Sequence, residues 1–307
     1  MTLHTISVVI PTYKRPDLLD KLLTSIYKAD RPASIIEIIV VENGGEYGAD
    51  LICRKWQEKL PLQYCFEPEA SVSNARNTGT KLANGEVLLF FDDDIRCDEN
   101  IFISYDKAIQ RHGDKYFYGG CLNIDYETKP AEWLLKFLPN SVKGMHLYDQ
   151  ETVIKEGLFL GANHAIPKKF FNETIKYDPF CETDELVAIG EETRLQEQLI
   201  NEGIHGLYLP DAKVWHYVPE KRCNEEWAIK RRYRYGLTQG VLHVNKNKST
   251  KELFGVPIWV FRKKLTLQVK ILLSSFLSRK NEGEAIEMKL KLAEVNGLMD
   301  GYKKPNI

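Results

Sequence analysis

Over roughly its first 120 residues the chain repeats one unit, a short apolar run followed by a stretch of helical period. The runs are "ISVVI", "IIEIIVV", "LQYCF", "EVLLFF" and "YFYGGCLNI", and the helical patterns between them fall near Pro16 to Lys28, Ala49 to Lys59, Val72 to Ala83 and Glu99 to His112. Strands rich in Ile and Val and separated by helices imply a mostly parallel sheet covered on both faces. The fold class expected is α/β. In such sheets a ligand binds beyond the carboxyl ends of the strands.

Three strand ends open on that edge: "PTYKRP", "ENGG" and "DDD". Their convergence favours one pocket over three unrelated loops. The third is the most demanding, because an apolar strand, Val87 to Phe91, runs straight into Asp92, Asp93 and Asp94. Adjacent carboxylates repel one another and gain nothing from the sheet, so a positive partner must meet them. A hard divalent ion, Mg²⁺ or Mn²⁺, takes oxygen ligands and bridges carboxylates to phosphate. Read alone, the same triplet also suits a solvated acidic turn or the start of a helix. Just upstream, Ser71 and Ser73 are candidate N-caps for a helix carrying Arg76 and Asn77. Arg76 has two readings here, a counter-charge to the aspartates or a contact to a diphosphate.

The 307 residues carry 42 basic and 43 acidic side chains, a net charge of −1, which excludes a dedicated nucleic-acid binder and makes any basic surface local. Six scattered cysteines lack the paired spacing of a zinc site and the density of a disulfide scaffold. They read as reduced thiols of a cytoplasmic protein. "MTLHTISVVIPTYKRP" reads as a buried strand rather than a signal peptide, and no segment reaches the roughly 20 apolar residues of a membrane span. Regular alternation lapses between about Asp125 and Glu156, where a long insertion points to a functional segment. From about Glu225 the pattern is helical throughout. Within 256–280, Leu265, Val269, Leu272 and Phe276 recur at helical spacing among basic residues, which fits either packing on the first domain or docking on an anionic membrane.

The order and spacing of "SVVIPTYKRPDLLDKLLTSI", "IIVVENGG", "SNARNTGTKLANGEVLLFFDDD", "GANHAIPKKFF", "GEETRLQEQLINEG" and "VWHY" resemble glycosyltransferase family 2, over roughly residues 5 to 220. The resemblance implies the Rossmann-like GT-A fold, with a nucleotide-sugar half (about 1–124), an acceptor half (about 125–220) and a helical region (221–307). It implies an inverting transferase that uses Mn²⁺ or Mg²⁺ and a nucleotide-diphosphate sugar, a UDP-sugar being commonest. The acceptor would be a glycan or a lipid-linked hydroxyl in cell-surface polysaccharide synthesis.

By the same resemblance Pro11, Thr12, Tyr13, Arg15, Glu42, Asn43 and Asp93 border the nucleotide, Asp92 lies on its ribose side, and Asp94 and His216 hold the metal. Gly161, Ala162 and Asn163 match a small-residue segment beside the donor sugar. The catalytic base falls on Glu192, with Glu191 as its rival, since the family more often has Glu-Asp at this point. Acids at the first turn of a helix also have a simpler reading, as partners of the helix dipole. The chemistry itself asks for two acid sites, one to absorb charge on the leaving diphosphate and one to take the acceptor's proton. Two rival readings are a sugar nucleotidyltransferase, which needs a Gly-rich phosphate loop that "PTYKRP" lacks, and a binding relative without a base.

Overall fold

The computed structural model describes residues 3–155, 159–179, 190–244, 251–276 and 282–304. The chain divides into two compact units. Of the described residues, the first comprises those of Met1–Asp125, Lys143–Pro179 and Gly190–Tyr217, and the second those of Tyr126–Val142 and Val218–Ile307. Part of the irregular insertion thus clusters with the C-terminal region.

The first unit opens with the alternation read from the sequence: β1 (Ile6–Thr12), α1 (Pro16–Lys28), β2 (Ile35–Asn43), α2 (Ala49–Trp56), β3 (Leu62–Glu67), α3 (Val72–Leu82) and β4 (Val87–Phe91). Strands β3, β2, β1 and β4 lie side by side in that order and all run parallel. Every residue of β1 and β4 is buried, as two covered faces require. Local signals set the connecting helices. Pro16 starts α1 where no amide donor is missed, and the Ser71 hydroxyl caps α3 by accepting the Asn74 amide at 2.9 Å.

Beyond β4 the sheet changes character. The chain passes the three aspartates into a three-residue strand, β5 (Ile95–Cys97), then α4 (Ile101–His112), β6 (Phe117–Tyr126), α5 (Glu132–Leu135), α6 (Asn140–Lys143), β7 (Thr152–Ile154), β8 (Asn163–Pro167), α7 (Glu191–Asn201) and β9 (Gly206–Val218). The strand order continues β4, β8, β6, β9, β5, with β7 also on β9, and the pairs β4–β8, β6–β8, β5–β9 and β7–β9 are antiparallel. The parallel half is the part that the β-α alternation dictates; in the other half the strands pair antiparallel although α4 and α7 still lie between successive strands. Five cysteines, Cys53, Cys65, Cys97, Cys121 and Cys223, are free thiols.

The second unit contains α8 (Glu225–Val244), a small hairpin of β10 (Glu252–Leu253) and β11 (Val256–Pro257), then α9 (Ile258–Phe276) and α10 (Glu282–Lys303). The expectation of an entirely helical region is therefore corrected by the hairpin, whose turn contains Phe254 and Gly255 at positive φ. Helices α8 and α10 pack on glycine. A Cβ on Gly236 would lie 2.0 Å from the Glu294 carbonyl oxygen, and one on Gly297 would lie 1.9 Å from that of Tyr233. Gly240 and Gly301 repeat the arrangement one turn on. Around this contact Tyr233 donates to Asp300 Oδ2 at 3.0 Å, and Val295, Leu298 and Met299 of α10 share a core with Val256, Val260 and Leu267.

Candidate active site

The expected edge is present: β1, β2 and β4 end together, and the polar residues after them are interlocked. Asp93 ties the first strand's exit to the third, accepting Thr12 Oγ1 at 2.8 Å and Arg15 Nη1 at 3.1 Å. Burial, with the Asp94 charge nearby, pushes its carboxyl up to about 7 against the opposing pull of Arg15. Asn43 clasps the Thr12 carbonyl at 2.9 Å, joining the exits of β1 and β2. Pro11 is buried within β1, in register with Val41.

Glu42 anchors the loop after β2. Its Oε1 accepts the amides of Tyr47 at 2.7 Å and Ala49 at 3.2 Å, and its Oε2 accepts the Tyr64 hydroxyl at 2.8 Å. Gly44 gives that loop its turn at φ +72°, where a Cβ would fall 2.5 Å from the Ala70 Cβ. The anchored loop brings Tyr47 edge to face against Tyr13, with ring centroids 5.4 Å apart. Lys14 sets its ammonium over both rings, at 4.8 Å and 5.0 Å. This cation–aromatic group had no signal in the sequence beyond the tyrosines themselves.

The three aspartates divide between two arginines. Asp92 turns to Arg76 Nη2 at 2.8 Å, Asp93 to Thr12 and Arg15, and Asp94 to Arg15 Nη1 at 2.6 Å and His216 Nε2 at 3.3 Å. Strand pairing delivers the histidine, since β9 sets His216 opposite Ile95 and the Tyr217 amide donates to the Asp94 carbonyl at 2.8 Å. Among the described residues no group of three or more His, Cys, Asp or Glu side chains forms a metal cage. The Asp94–His216 pair offers one carboxylate and one imidazole. That donor set fits Mn²⁺ or Mg²⁺ when phosphate and water supply the remaining ligands, and the imidazole favours Mn²⁺.

Arg76 lies beneath this edge, 2% exposed. Its Nη1 binds Glu191 Oε1 at 2.7 Å while Nη2 holds Asp92, so it joins the aspartate turn to the first turn of α7. Arg76 thus acts as a counter-charge between the aspartate turn and α7, and Glu191 is held in that bridge. Glu192, the next residue, keeps a partial solvent opening but is crowded. Burial first, then the Glu191 charge, lifts its carboxyl to about 8, with Arg76 opposing.

Gly161 packs on both groups, for a Cβ there would meet Arg76 Nη2 at 2.9 Å and the Glu192 carboxyl carbon at 3.4 Å. Ala162 is buried beside it. Asn163 is directed elsewhere. Its amide nitrogen donates to the Cys121 and Ala212 carbonyls, and its oxygen accepts the Tyr105 hydroxyl, all inside the sheet core.

Sequence reasoning missed the layer that supports Arg76. His164 lies 3.0 Å from the Gly161 carbonyl through Nδ1 and 2.6 Å from the Tyr177 hydroxyl through Nε2. A carbonyl only accepts, so Nδ1 carries the proton and Tyr177 donates to Nε2. Burial and the Arg76 charge push this imidazole down to about 3, so it stays neutral. Phe90 stacks on its face at 5.1 Å, and the Tyr177 ring lies 5.3 Å from the Arg76 guanidinium.

The family description "Glycosyl transferase family 2" matches residues 7–174. The chain is 33% identical over 89 residues to validoxylamine A glucosyltransferase of Streptomyces hygroscopicus subsp. jinggangensis, a match that covers 28% of this chain and 21% of that protein. It is 23% identical over 266 residues to the succinoglycan biosynthesis protein ExoM of Rhizobium meliloti, covering 84% and 81% of the two chains. Among solved structures, the mannosyltransferase PcManGT of Pyrobaculum calidifontis, in complex with GDP-Man and Mn²⁺, superposes with a TM-score of 0.54 at 18% identity, over 81% of this chain and 66% of that one. At that identity the likeness speaks for the fold alone, which is GT-A. The family match covers more than half of the chain, from β1 through the aspartates to the turn after β8, and so includes the strand exits on which the site is built. The chain belongs to glycosyltransferase family 2.

Proposed function

We propose that the protein transfers a sugar, with inversion, from a nucleotide-diphosphate sugar to the hydroxyl of a glycan or lipid-linked acceptor in polysaccharide biosynthesis at the cytoplasmic side of the membrane. The carrying observation is the Asp94–His216 pair, 3.3 Å apart at the exit of β4, within the same unit as the Glu192 carboxyl, whose proton affinity is raised. ExoM, named for succinoglycan biosynthesis, supports the polysaccharide setting, and the GDP-Man and Mn²⁺ in PcManGT support a nucleotide-sugar donor and a divalent ion. A UDP-sugar is the donor proposed.

In this reading the acceptor oxygen attacks the anomeric carbon as the bond from that carbon to the diphosphate oxygen breaks. The proton of the acceptor hydroxyl passes to Glu192, and the nucleoside diphosphate leaves. A carboxyl near pH 8 is suited to that task because its conjugate base is strong enough to take the proton yet present near neutrality. Asp94 and His216 would hold a divalent ion, which when bound supplies positive charge to the departing diphosphate. Arg76 keeps Glu191 occupied, leaving Glu192 as the acid available to the acceptor. Tyr13, Tyr47 and Lys14 offer an aromatic, cationic wall for the nucleotide.

The test is thermal stability with UDP, GDP, CDP or dTDP, with and without Mn²⁺, for wild type and Asp94→Asn. A nucleotide at about 100 times its Kd should stabilise by roughly 2.7 kcal/mol. The expected outcome is stabilisation by UDP with Mn²⁺, lost in the variant. Indifference to every nucleotide would overturn the proposal.

A further inference from the structure

Helix α9 has two apolar faces, and one of them is turned to solvent. Val260 and Leu267 are buried with Val295, Leu298 and Met299 of α10. On the opposite side Leu265 is 62% exposed, Val269 45% and Leu272 60%, at the i, i+4, i+7 spacing of a single stripe. A helix serving only to complete a core would carry polar residues there. Leu273, also exposed, widens the stripe.

The hairpin just before α9 continues the same chemistry. Its turn presents Phe254, 83% exposed, at φ +51°, a backbone conformation that a bulky side chain adopts only against a steric penalty. Leu253 and Trp259, the latter at the start of α9, are exposed beside it in sequence. An aromatic held out on a strained turn is poorly explained by the unit's own packing.

Charge identifies the occupant. Arg262, Lys263, Lys264 and Lys270 lie in α9, which contains no Asp or Glu, although the whole chain is almost neutral. A second copy would bring the same cations against these, which disfavours self-association through this face. No described helix is long and apolar enough to cross a membrane, so the surface would lie on a bilayer rather than traverse it.

We propose that the Leu253–Phe254 turn and the Leu265–Val269–Leu272 face of α9 dock on an anionic lipid bilayer. The aliphatic and aromatic groups enter the boundary between headgroups and acyl chains, and Lys263 and Lys270 meet lipid phosphates. This inference does not depend on the transferase reading, since nucleotide-dependent stability is measured without lipid.

Flotation of the full chain with vesicles of phosphatidylcholine, alone or with about a third phosphatidylglycerol, tests it. Wild type should float with the anionic vesicles at least about tenfold better than with the neutral ones, and less so in high salt. Phe254→Ser with Val269→Ser should lose about tenfold in partition, and Lys263→Gln with Lys270→Gln about fivefold for each charge removed. All four side chains are exposed, so unchanged melting and circular dichroism would verify that the variants are folded. Absence of flotation on anionic vesicles, or equal flotation of wild type and the apolar variant, would overturn the proposal. So would a dimer in sedimentation that Val269→Ser dissolves while lipid binding stays absent, because the face would then belong to a second copy.

Discussion

The aspartate edge and the α8–α10 pair are both tightly built, and they are tight for opposite reasons. At the edge, carboxylates from the turn after β4 and from α7 are held within reach of one another by arginines, so like charges stay close at a standing electrostatic cost. In the helix pair, glycine removes side chains so that backbone meets backbone, with no charge forced inward. In the proposed reading the first region holds the chemistry at the expense of stability, whereas the helix pair serves packing. Substitutions should therefore separate the two: in the first region removing a carboxylate should affect turnover and removing an arginine should affect stability, whereas in the second only stability should change.

The largest effect is expected at Glu192. Glu192→Gln should lower kcat by about 10²–10⁴-fold, the range of general-base catalysis, while nucleotide-dependent stabilisation survives. Its pH dependence has a definite sign. The base form accumulates as the proton leaves near pH 8, so the wild-type rate should climb through that region and the residual rate of the variant should not. Stability should move the other way. A carboxyl whose folded value lies above its unfolded one binds more protons when folded, so raising the pH from about 4.5 through about 8 costs stability. Glu192→Gln should accordingly melt above wild type at pH 9. A variant that melts lower and keeps full turnover would remove Glu192 from the base role.

Next comes the arginine under the edge. Arg76→Ala leaves the Asp92 and Glu191 carboxylates without the guanidinium that joins them, and breaking such a buried bridge costs about 3–5 kcal/mol. The check is urea denaturation followed by a probe in the first unit. Lys should rescue only partly, because it cannot hold two carboxylates with a planar fork. Full stability in Arg76→Lys would mean that the bridge acts as simple charge, without geometry.

For the helix pair the expected sign runs against intrinsic propensity. Gly236→Ala in an isolated helix would gain up to about 1 kcal/mol. Here the added methyl meets the Glu294 carbonyl oxygen, and prising the helices apart should give a net loss of about 1–3 kcal/mol. Differential scanning calorimetry would reveal it, with the nucleotide response intact. A more stable variant would mean the two helices do not rest on backbone contact.

How far each region could be read in advance follows the same division. The strand exits were legible because the change from "LLFF" to "DDD" is local and leaves a physical demand unmet. Strands β1 to β4 and α3 with its Ser71 cap followed from periodicity and capping. Partners far apart in sequence were not legible: the bridge from Arg76 to Glu191 spans 115 positions. Strand β5, too short to register as a strand, is what sets His216 beside Asp94. Asn163, grouped by the sequence with its small neighbours, instead has its amide bonded to the Ala212 carbonyl and the Tyr105 hydroxyl in the core, partners far away in sequence. The glycines of α8 and α10 did leave a trace, because "GLTQG" and "GLMDG" both space them four apart. That spacing becomes informative only once two such helices are known to meet.

The smallest effect distinguishes a hydrogen-bonded support for the edge from plain packing. Tyr177→Phe keeps the ring against Arg76 and Phe90 and removes only the hydroxyl that donates to His164 Nε2. That nitrogen would then be a buried acceptor without its donor, at a cost of about 1–3 kcal/mol. Because Nδ1 still reaches the Gly161 carbonyl, the backbone beside Glu192 should stay in position and kcat should fall by less than about tenfold. Unfolding measurements and steady-state rates on the one variant read the two effects separately. A stability loss with little change in rate places the His164–Tyr177 pair with the glycines, as scaffold. If instead the rate falls by more than a hundredfold at unchanged stability, the pair orients the catalytic carboxyl, and the division between a chemical edge and a structural interior would have to be redrawn one layer deeper.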